Sequence, residues 1–370
     1  MDIIKICKIE AIALIVISML AQIILETPKF ILQNNASGSL LSTLTISIIS
    51  FIIILIINHT FNKFNNKDIL DLSDYAGGKF LKIVTSIGYI IFFFISSLTA
   101  LYSITEALHI IYFPNASTIY LALFFIVPIV FLIRKGFPTI CKVNVVISII
   151  SAIFMAILFI KSIPLFVTER LFPLSGYELY KSLFYNISAI SAFQGISYIM
   201  FLHPLLKDQK DFKKINIISF IIMTIVLLLA ILCLLLVSPF VNFVPELLSL
   251  YLLTRLIEFG SFLARIDAIY TFFWIFCIMS YLTINMYFIL HIFAKNTKLK
   301  TASPMSYSLS ILLLAGLLLL KKISDYIWLK NIFFYNYFII LMIFSVIILI
   351  ICNIKKNKIN SKENAIRKKR

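Results

Sequence analysis

Long apolar segments occupy most of this chain, and they constrain its fold more than any other feature. Ten of them reach or approach the length of about 20 residues that a helix needs to cross a bilayer. With 61% hydrophobic and only 13% charged residues, the chain cannot bury its apolar surface in a water-soluble fold. The sequence therefore predicts an all-α polytopic membrane protein.

The ten segments divide into two sets of five. Five spans are an odd number, so the second set has the opposite orientation in the membrane, as in inverted-repeat transporters. We expect one transmembrane domain over 1–354, with repeat one at about 9–163 and repeat two at about 182–354. A basic tail at 355–370 is expected to be disordered and to lie near anionic membrane lipids. The predicted spans are roughly 9–32, 39–58, 83–112, 118–133, 140–163, 182–203, 215–238, 262–292, 303–320 and 331–354.

Basic residues are distributed unevenly between the loops, and this distribution predicts the orientation. If the N-terminus lies inside, 24 of the 33 Lys and Arg residues fall in inside segments and the tail. Positive charge is retained in the cytoplasm, so both termini are expected to be cytoplasmic. The same placement argues that the net charge of +17 reflects membrane topology and not nucleic-acid binding.

Span six contains the clearest sign of an interrupted helix. Its sequence SAISAFQGISYIM places Gly195 beside Gln194, with Ser191 and Phe193 upstream. Glycine tolerates unwound backbone, and neighbouring polar side chains can bond the backbone groups that an interruption frees. A ligand-binding break and a glycine that only lets two helices pack closely are both consistent with this pattern.

Span one carries a weaker signal. Ala21 and Gln22 precede Pro28, which removes a helical hydrogen bond and disfavours helix at Thr27. A break or kink is therefore expected, although no glycine marks its position.

Acidic residues within apolar spans are costly and are functional hypotheses by default. Glu106 lies in the outer half of span three, one turn after Tyr102, with no Lys or Arg near it in sequence. A water- or ion-lined pathway and a buried structural hydrogen bond are equally consistent with it. Glu10, Glu26 and Asp267 lie nearer the predicted span ends, and Glu10 and Asp267 are expected to be interfacial. In span eight, Asn285 is a candidate for a hydrogen bond between helices.

Two segments outside the spans are expected to lie on the membrane surfaces. The inner segment 68–82 has apolar residues at helical spacing and then Gly77-Gly78, which predicts an interfacial helix that ends at a flexible joint. The outer segment 239–261 is apolar enough to form a surface helix. Three carboxylates of the inner segment lack calcium-loop spacing and are expected to form a solvated helix face: Asp68, Asp71 and Asp74.

No sequence motif indicates an enzyme, a metal site or a cofactor. Phosphate-binding glycine loops, nucleophile elbows and paired catalytic carboxylates are not found in the sequence. The five cysteines are far apart in sequence and are interpreted as apolar packing residues. We therefore expect no catalytic residues, no bound metal and no cofactor.

Two stretches resemble one family. NISAISAFQGISYIMFLHPLLKDQKDFKK and LLTRLIEFGSFLARIDAIYTFFWI resemble the spore germination permeases, the B subunits of nutrient germinant receptors in endospore-forming bacteria. The second stretch matches by an ordered series of residues: Arg255, Phe262, Arg265, Asp267 and Trp274. That family is similar to the amino acid–polyamine–organocation transporters.

The resemblance implies a five-plus-five inverted repeat with discontinuous spans one and six, and an amino-acid-sized ligand between spans 1, 3, 6 and 8. The implied site residues are Ala21, Gln22, Ile23, Ser191, Phe193, Gln194 and Gly195. Many relatives have glycines where this chain has Ala21 and Ile23, so span one is expected to unwind less here.

The resemblance also implies a location and partners: the spore inner membrane, a receptor A subunit and a lipoprotein C subunit. Ligand binding would trigger germination, beginning with ion release. Two other functions remain open at this point. One is secondary amino acid transport by the same fold, and the other is a ligand-gated ion or water conduit with Glu106 and Tyr102 on its path.

Overall fold

The computed structural model is a bundle of α-helices. It describes residues 5–25, 27–173, 176, 187–237, 239, 249–257, 266–299, 303–320 and 322–368. In that part of the chain the only extended pairing is one isolated bridge, between Ile6 and Leu206. The all-α class predicted from the apolar segments is confirmed.

The described residues of the first half of the chain form six α-helices. Their bounds are α1 Lys8–Leu25, α2 Thr27–Asn35, α3 Ser39–Lys63, α4 Ile69–Ile111, α5 Thr118–Lys135 and α6 Phe137–Ser162. Short 3-10 helices at Ala36–Gly38, Ile163–Leu165 and Thr168–Leu171 connect or follow them.

The second half begins with a 3-10 helix and contains a π-helix. Its α-helices are α7 Gly195–Leu202, α8 Phe212–Val237, α9 Ser249–Leu256, α10 Ile266–Thr297, α11 Ser306–Leu319, α12 Ile323–Leu329 and α13 Tyr337–Lys368. The 3-10 helix Ile187–Phe193 precedes α7, and the π-helix Lys330–Asn336 joins α12 to α13.

Eight helical segments of the described chain are long and apolar enough to cross a membrane. The two remaining predicted spans, six and nine, correspond to shorter apolar helices at Gly195–Leu205 and Ser303–Leu319. The chain is thus an all-α polytopic membrane protein, with a helix at every position where the apolar pattern predicts a span.

Helix α1 lies at the centre of the bundle. It packs against α6, α8 and α10, and α10 packs along α4. Large side chains such as Tyr198, Trp274 and Tyr281 are fully buried between these helices. By contrast, α3 and α8 direct exposed isoleucines such as Ile48 and Ile225 outward, where lipid rather than water would cover them.

Span one is not interrupted at the residues that the resemblance implies. Ala21, Gln22 and Ile23 all lie within α1, which continues to Leu25. A second helix begins at Thr27, with Pro28 in its first turn, where a missing N–H group costs nothing. Alanine and isoleucine carry side chains that favour helix over unwound backbone, which accounts for the continuous segment.

The predicted interfacial helix and its joint are present at the start of α4. Asp68 caps this helix by accepting hydrogen bonds from the backbone N–H groups of Leu70 and Asp71, at 2.9 and 3.0 Å. Gly77 and Gly78 then leave helical geometry, and Gly78 has a φ of 73°, which L side chains rarely adopt. The expected flexible joint is therefore a kink between the interfacial turns and the span.

The carboxylates of this segment do not form a solvated face. Asp68 is buried, and its Oδ2 accepts a hydrogen bond from Lys295 Nζ at 2.6 Å. Asp71 Oδ2 lies 2.8 Å from the same ammonium, and Asp74 forms a longer pair with Lys82 at 3.9 Å. The prediction was wrong for Asp68 because Lys295, on the end of α10, is distant in sequence and supplies the charge that burial requires.

The basic tail also differs from the expectation. Helix α13 continues through the tail to Lys368. Lys355 Nζ donates to the carbonyl of Ala76 at 2.6 Å, and Lys356 Nζ donates to the carbonyl of Lys63. These bonds attach the first turn of the tail to the end of α3 and to the turns that precede the kink in α4. The tail can continue as helix because propagation from an existing helix needs no new nucleus.

Lys295→Met tests the buried ion pair. Removing the ammonium leaves the Asp68 carboxylate buried with only its capping bonds, so the free energy of unfolding should fall by about 2 kcal/mol. Thermal unfolding of the purified protein in detergent measures this change. Lys142→Met, which removes an exposed lysine from α6, is the matched control. Equal melting temperatures for the two variants would contradict a stabilising role for the pair.

Cysteine labelling tests the predicted orientation. The background variant Cys7→Ser removes the exposed native thiol, since the other four cysteines are buried. An impermeant maleimide added to intact cells should label Asn115→Cys, on an outer loop, and should leave Lys213→Cys unlabelled until the membrane is opened. Efficient labelling of Lys213→Cys in intact cells would show that the predicted orientation is wrong.

Candidate functional site

Span six changes helix type at the residues singled out from its sequence. The 3-10 helix Ile187–Phe193 ends at Gln194, and α7 begins at Gly195. The 3-10 turns are held in part by Ser191, whose hydroxyl donates to the carbonyl of Ser188 at 3.1 Å. Span six therefore changes from 3-10 to α geometry at Gln194, and Gln194 itself keeps right-handed helical backbone angles.

Gly195 is packed directly against span one. A Cβ atom at this position would lie 2.4 Å from Cε and 2.8 Å from Cγ of Met19, and 3.1 Å from Ile15. Any larger residue would push α7 away from α1, at a typical cost of about 1–3 kcal/mol. The structure thus supports the packing interpretation of Gly195, and a bulky substitution here would disturb folding together with any binding.

Gln194 links span six to spans one and eight. Its Nε2 donates to the backbone carbonyl of Ser18 at 3.2 Å, and its Oε1 accepts from the Tyr281 hydroxyl at 2.9 Å. Gln194 and Tyr281 are both completely buried. The side chain therefore satisfies polar groups on two neighbouring helices at the point where its own helix is irregular.

Further uncharged polar side chains gather around the Tyr281 hydroxyl. Gln22 of α1, Ser96 of α4 and Asn285 of α10 lie around it. Tyr198 of α7 donates from its hydroxyl to Asn285 Oδ1 at 2.5 Å. We call this group the polar cluster, and its members are Gln22, Ser96, Gln194, Tyr198, Tyr281 and Asn285. It draws side chains from spans 1, 3, 6 and 8, the four spans that the resemblance implies.

The polar cluster has unused hydrogen-bonding capacity. Ser96 Oγ and Asn285 Nδ2 are buried and have no hydrogen-bond partner among the described residues. The same holds for Nε1 of Trp274, two turns before Tyr281 on α10. Leaving such a group unbonded costs about 1–3 kcal/mol, so the cluster is suited to receive water or a small polar ligand.

The other implied binding residues lie outside the polar cluster. Phe193 is buried against Phe220 of α8, with ring centroids 5.2 Å apart. Ala21 and Ile23 are buried in the core on either side of Gln22. Only Gln22 and Gln194 of the implied set belong to the cluster.

The sequence analysis does not predict three members of the polar cluster: Ser96, Tyr198 and Tyr281. The signal for Tyr281 was its spacing of four residues from Asn285, which puts both on one face of α10. For Ser96, a serine among many, only the packing of α4 against α10 identifies it. Asn285 does form the hydrogen bond between helices that its sequence position suggested.

Glu106 lies apart from the polar cluster, on α4, and remains partly exposed. No described residue forms an ion pair with it, and Tyr102 does not hydrogen-bond it. Instead the Tyr102 ring stacks on Tyr326, with centroids 4.6 Å apart, and Ser103 Oγ lies 2.5 Å from the Tyr326 hydroxyl. Lys330 in the π-helix is buried here and donates to Tyr326 at 3.2 Å.

The residues of the span-eight stretch lie on α9 and α10. Tyr251 of α9 donates to Asp267 Oδ2 at 3.3 Å, so this acid joins the two helices near the start of α10. Trp274 is fully buried, whereas Arg255 is exposed at the end of α9. A helix is present at Ser249–Leu256, within the predicted outer surface segment. Phe262, Arg265 and Glu26 lie outside the described residues.

Glu10 lies at the start of α1, where its Oε2 accepts a hydrogen bond from the backbone N–H of Cys7 at 2.7 Å.

Comparison with known proteins identifies the family of the chain. No curated protein matches the chain. A family model described as "Spore germination protein" matches residues 5–326, a segment that includes every member of the polar cluster. The chain therefore belongs to the spore germination permease family.

Proposed function

We propose that the protein is the B subunit of a nutrient germinant receptor in the spore inner membrane, and that it binds an amino-acid-like germinant at the polar cluster. The observation that carries this proposal is the convergence of uncharged polar groups from four spans on the Tyr281 hydroxyl. Membership of the spore germination permease family supports the same reading.

The chemistry of the polar cluster favours a small zwitterionic or neutral ligand. Its amide, hydroxyl and phenol groups donate and accept hydrogen bonds but carry no charge. A fully charged ligand would lose its hydration without gaining a counter-charge, whereas an amino acid carries both charges and no net one.

Ligand binding would change helix packing because the site is closed. Gln194 bonds span one and span eight directly, so a ligand that enters must replace or extend these bonds. Such an exchange shifts the conformational equilibrium by the difference in affinity of the ligand for the two states. We propose that this shift is passed to a receptor A subunit and a lipoprotein C subunit and leads to ion release, with no enzymatic step.

Tyr281→Phe tests the site with the smallest change available. It removes one hydroxyl from the polar cluster and retains the ring, so the germinant concentration for half-maximal germination should rise about tenfold at unchanged protein abundance. Tyr287→Phe is the matched control. It makes the same change on the same helix, where the Tyr287 ring stacks on Phe137 instead.

Germination of spores that carry each variant, measured against germinant concentration, gives the result. An unchanged concentration dependence for Tyr281→Phe would contradict the site. Uptake of labelled amino acids into vesicles that contain this chain alone separates the receptor from the alternative, a secondary amino acid transporter. Concentrative uptake without A and C subunits would favour transport.

A second candidate function is an ion or water conduit in the outer half of span three. The observation in its favour is the group of polar side chains beside Glu106: Tyr102, Ser103, Tyr326 and Lys330. A partly exposed carboxylate in this region can order water or attract cations.

Glu106→Gln tests the conduit. If the charge of Glu106 serves ion passage, potassium and dipicolinate release after germinant addition should slow several-fold, because the amide keeps size and most hydrogen bonds but not charge. Glu106→Asp should retain part of the rate. Release at the wild-type rate in Glu106→Gln spores, at matched receptor abundance, would leave Glu106 a structural residue.

A further inference from the structure

A polar cavity of about 440 Å³ lies at the end of the bundle that the charge distribution assigns to the cytoplasm. This volume is within the usual range for small-molecule sites. The cavity shares no lining residue with the polar cluster, and the proposed function assigns it no role. Its lining residues are Lys5, Asn62, Asn65, His203, Lys207, Asp208, Gln209 and Lys210.

The fold builds this cavity by pairing the N-terminal segment with the loop after α7. The backbone N–H of Ile6 donates to the carbonyl of Leu205 at 2.9 Å, and the N–H of Lys207 donates to the carbonyl of Ile6 at 3.0 Å. These two bonds hold the backbones of Lys5 and Lys207 at one rim. The end of α3 supplies the amides of Asn62 and Asn65.

The charge of the lining is positive. Lys5, Lys207 and Lys210 are exposed, and their ammonium groups form no ion pair with any described residue. The one lining carboxylate, Asp208, already accepts the backbone N–H of Lys210 at 2.9 Å as the cap of a short 3-10 turn. Three ammonium groups against one engaged carboxylate leave an anion-attracting surface.

His203 supplies a buried polar group in the cavity wall. It is 2% exposed, and its ring is held between Phe61 and Phe212, with centroids 5.5 and 5.0 Å away. Its Nδ1 has no hydrogen-bond partner among the described residues. An imidazole fixed in this way contributes a polar ring to the cavity wall without losing side-chain entropy when a ligand binds.

We propose that this cavity binds a phosphate group, contacted by Lys5, Lys207 and Lys210 and positioned by His203. Ammonium groups and amide donors around one space match the oxygens of a phosphate better than those of a planar or neutral ligand. The site lies where the spans meet the predicted inner surface, so both membrane lipids and soluble molecules can reach it. An anionic phospholipid headgroup and a small soluble phosphate both carry the phosphate group that the cavity would bind.

The test uses the full chain purified in neutral detergent and then placed in lipid nanodiscs. The pocket variant is Lys5→Gln/Lys207→Gln/Lys210→Gln. The matched control, Lys79→Gln/Lys213→Gln/Lys214→Gln, removes the same charge from exposed positions outside the cavity. A second variant, His203→Phe, keeps the aromatic packing and removes the ring nitrogens.

Thermal unfolding is measured with inorganic phosphate against chloride at equal ionic strength, and in phosphatidylglycerol against phosphatidylcholine nanodiscs. We expect phosphate or phosphatidylglycerol to stabilise the wild type and the control. In the pocket variant the apparent affinity should be about tenfold weaker, with an intermediate loss in His203→Phe.

The two arms also identify the source of the phosphate. Stabilisation by phosphatidylglycerol alone assigns a lipid headgroup, and stabilisation by inorganic phosphate assigns a soluble ligand; both support the proposal. No stabilisation of the wild type in either arm would overturn it. An equal loss of affinity in the control and pocket variants would also overturn it, since general surface charge would then account for the effect.

Discussion

Within a bilayer, every backbone N–H and carbonyl must find its hydrogen-bond partner in the protein itself. This constraint determines where span six can depart from α-helix. The departure lies at Gln194, whose side chain is completely buried and bonds both the Ser18 carbonyl and the Tyr281 hydroxyl. Close contact of Gly195 with Met19 keeps this junction against span one. An irregular helix is therefore stable here because spans one, three and eight surround it.

Charged and neutral polar side chains are buried in different parts of the bundle. In the middle of the bundle the polar groups are amides, hydroxyls and phenols, which can be buried at modest cost when bonded. Where α10 ends, Asp68 is buried only together with Lys295. Three lysines that form no ion pair with any described residue line the cavity beside His203: Lys5, Lys207 and Lys210. A neutral ligand at the centre and an anionic one at the surface fit this gradient.

The kink at Gly77-Gly78 and the ion pair of Asp68 with Lys295 together determine how the first turns of α4 are attached to the bundle. Gly78 separates the interfacial turns from the span, so these turns are held to the bundle by their side chains. Lys295 lies in the last turn of α10, the helix that also carries Tyr281. The helix capped by Asp68 and the polar cluster are therefore both attached to α10.

The helical membrane class, the joint at Gly77-Gly78 and an irregular helix beside Gln194 could be predicted from the sequence alone. Hydropathy, breaker residues and helical spacing are local properties, so a linear pattern contains them. The tertiary structure decided which polar residues meet. Asp68 and Lys295 are 227 positions apart, and Gln194 and Tyr281 are 87 apart, so no local pattern pairs them.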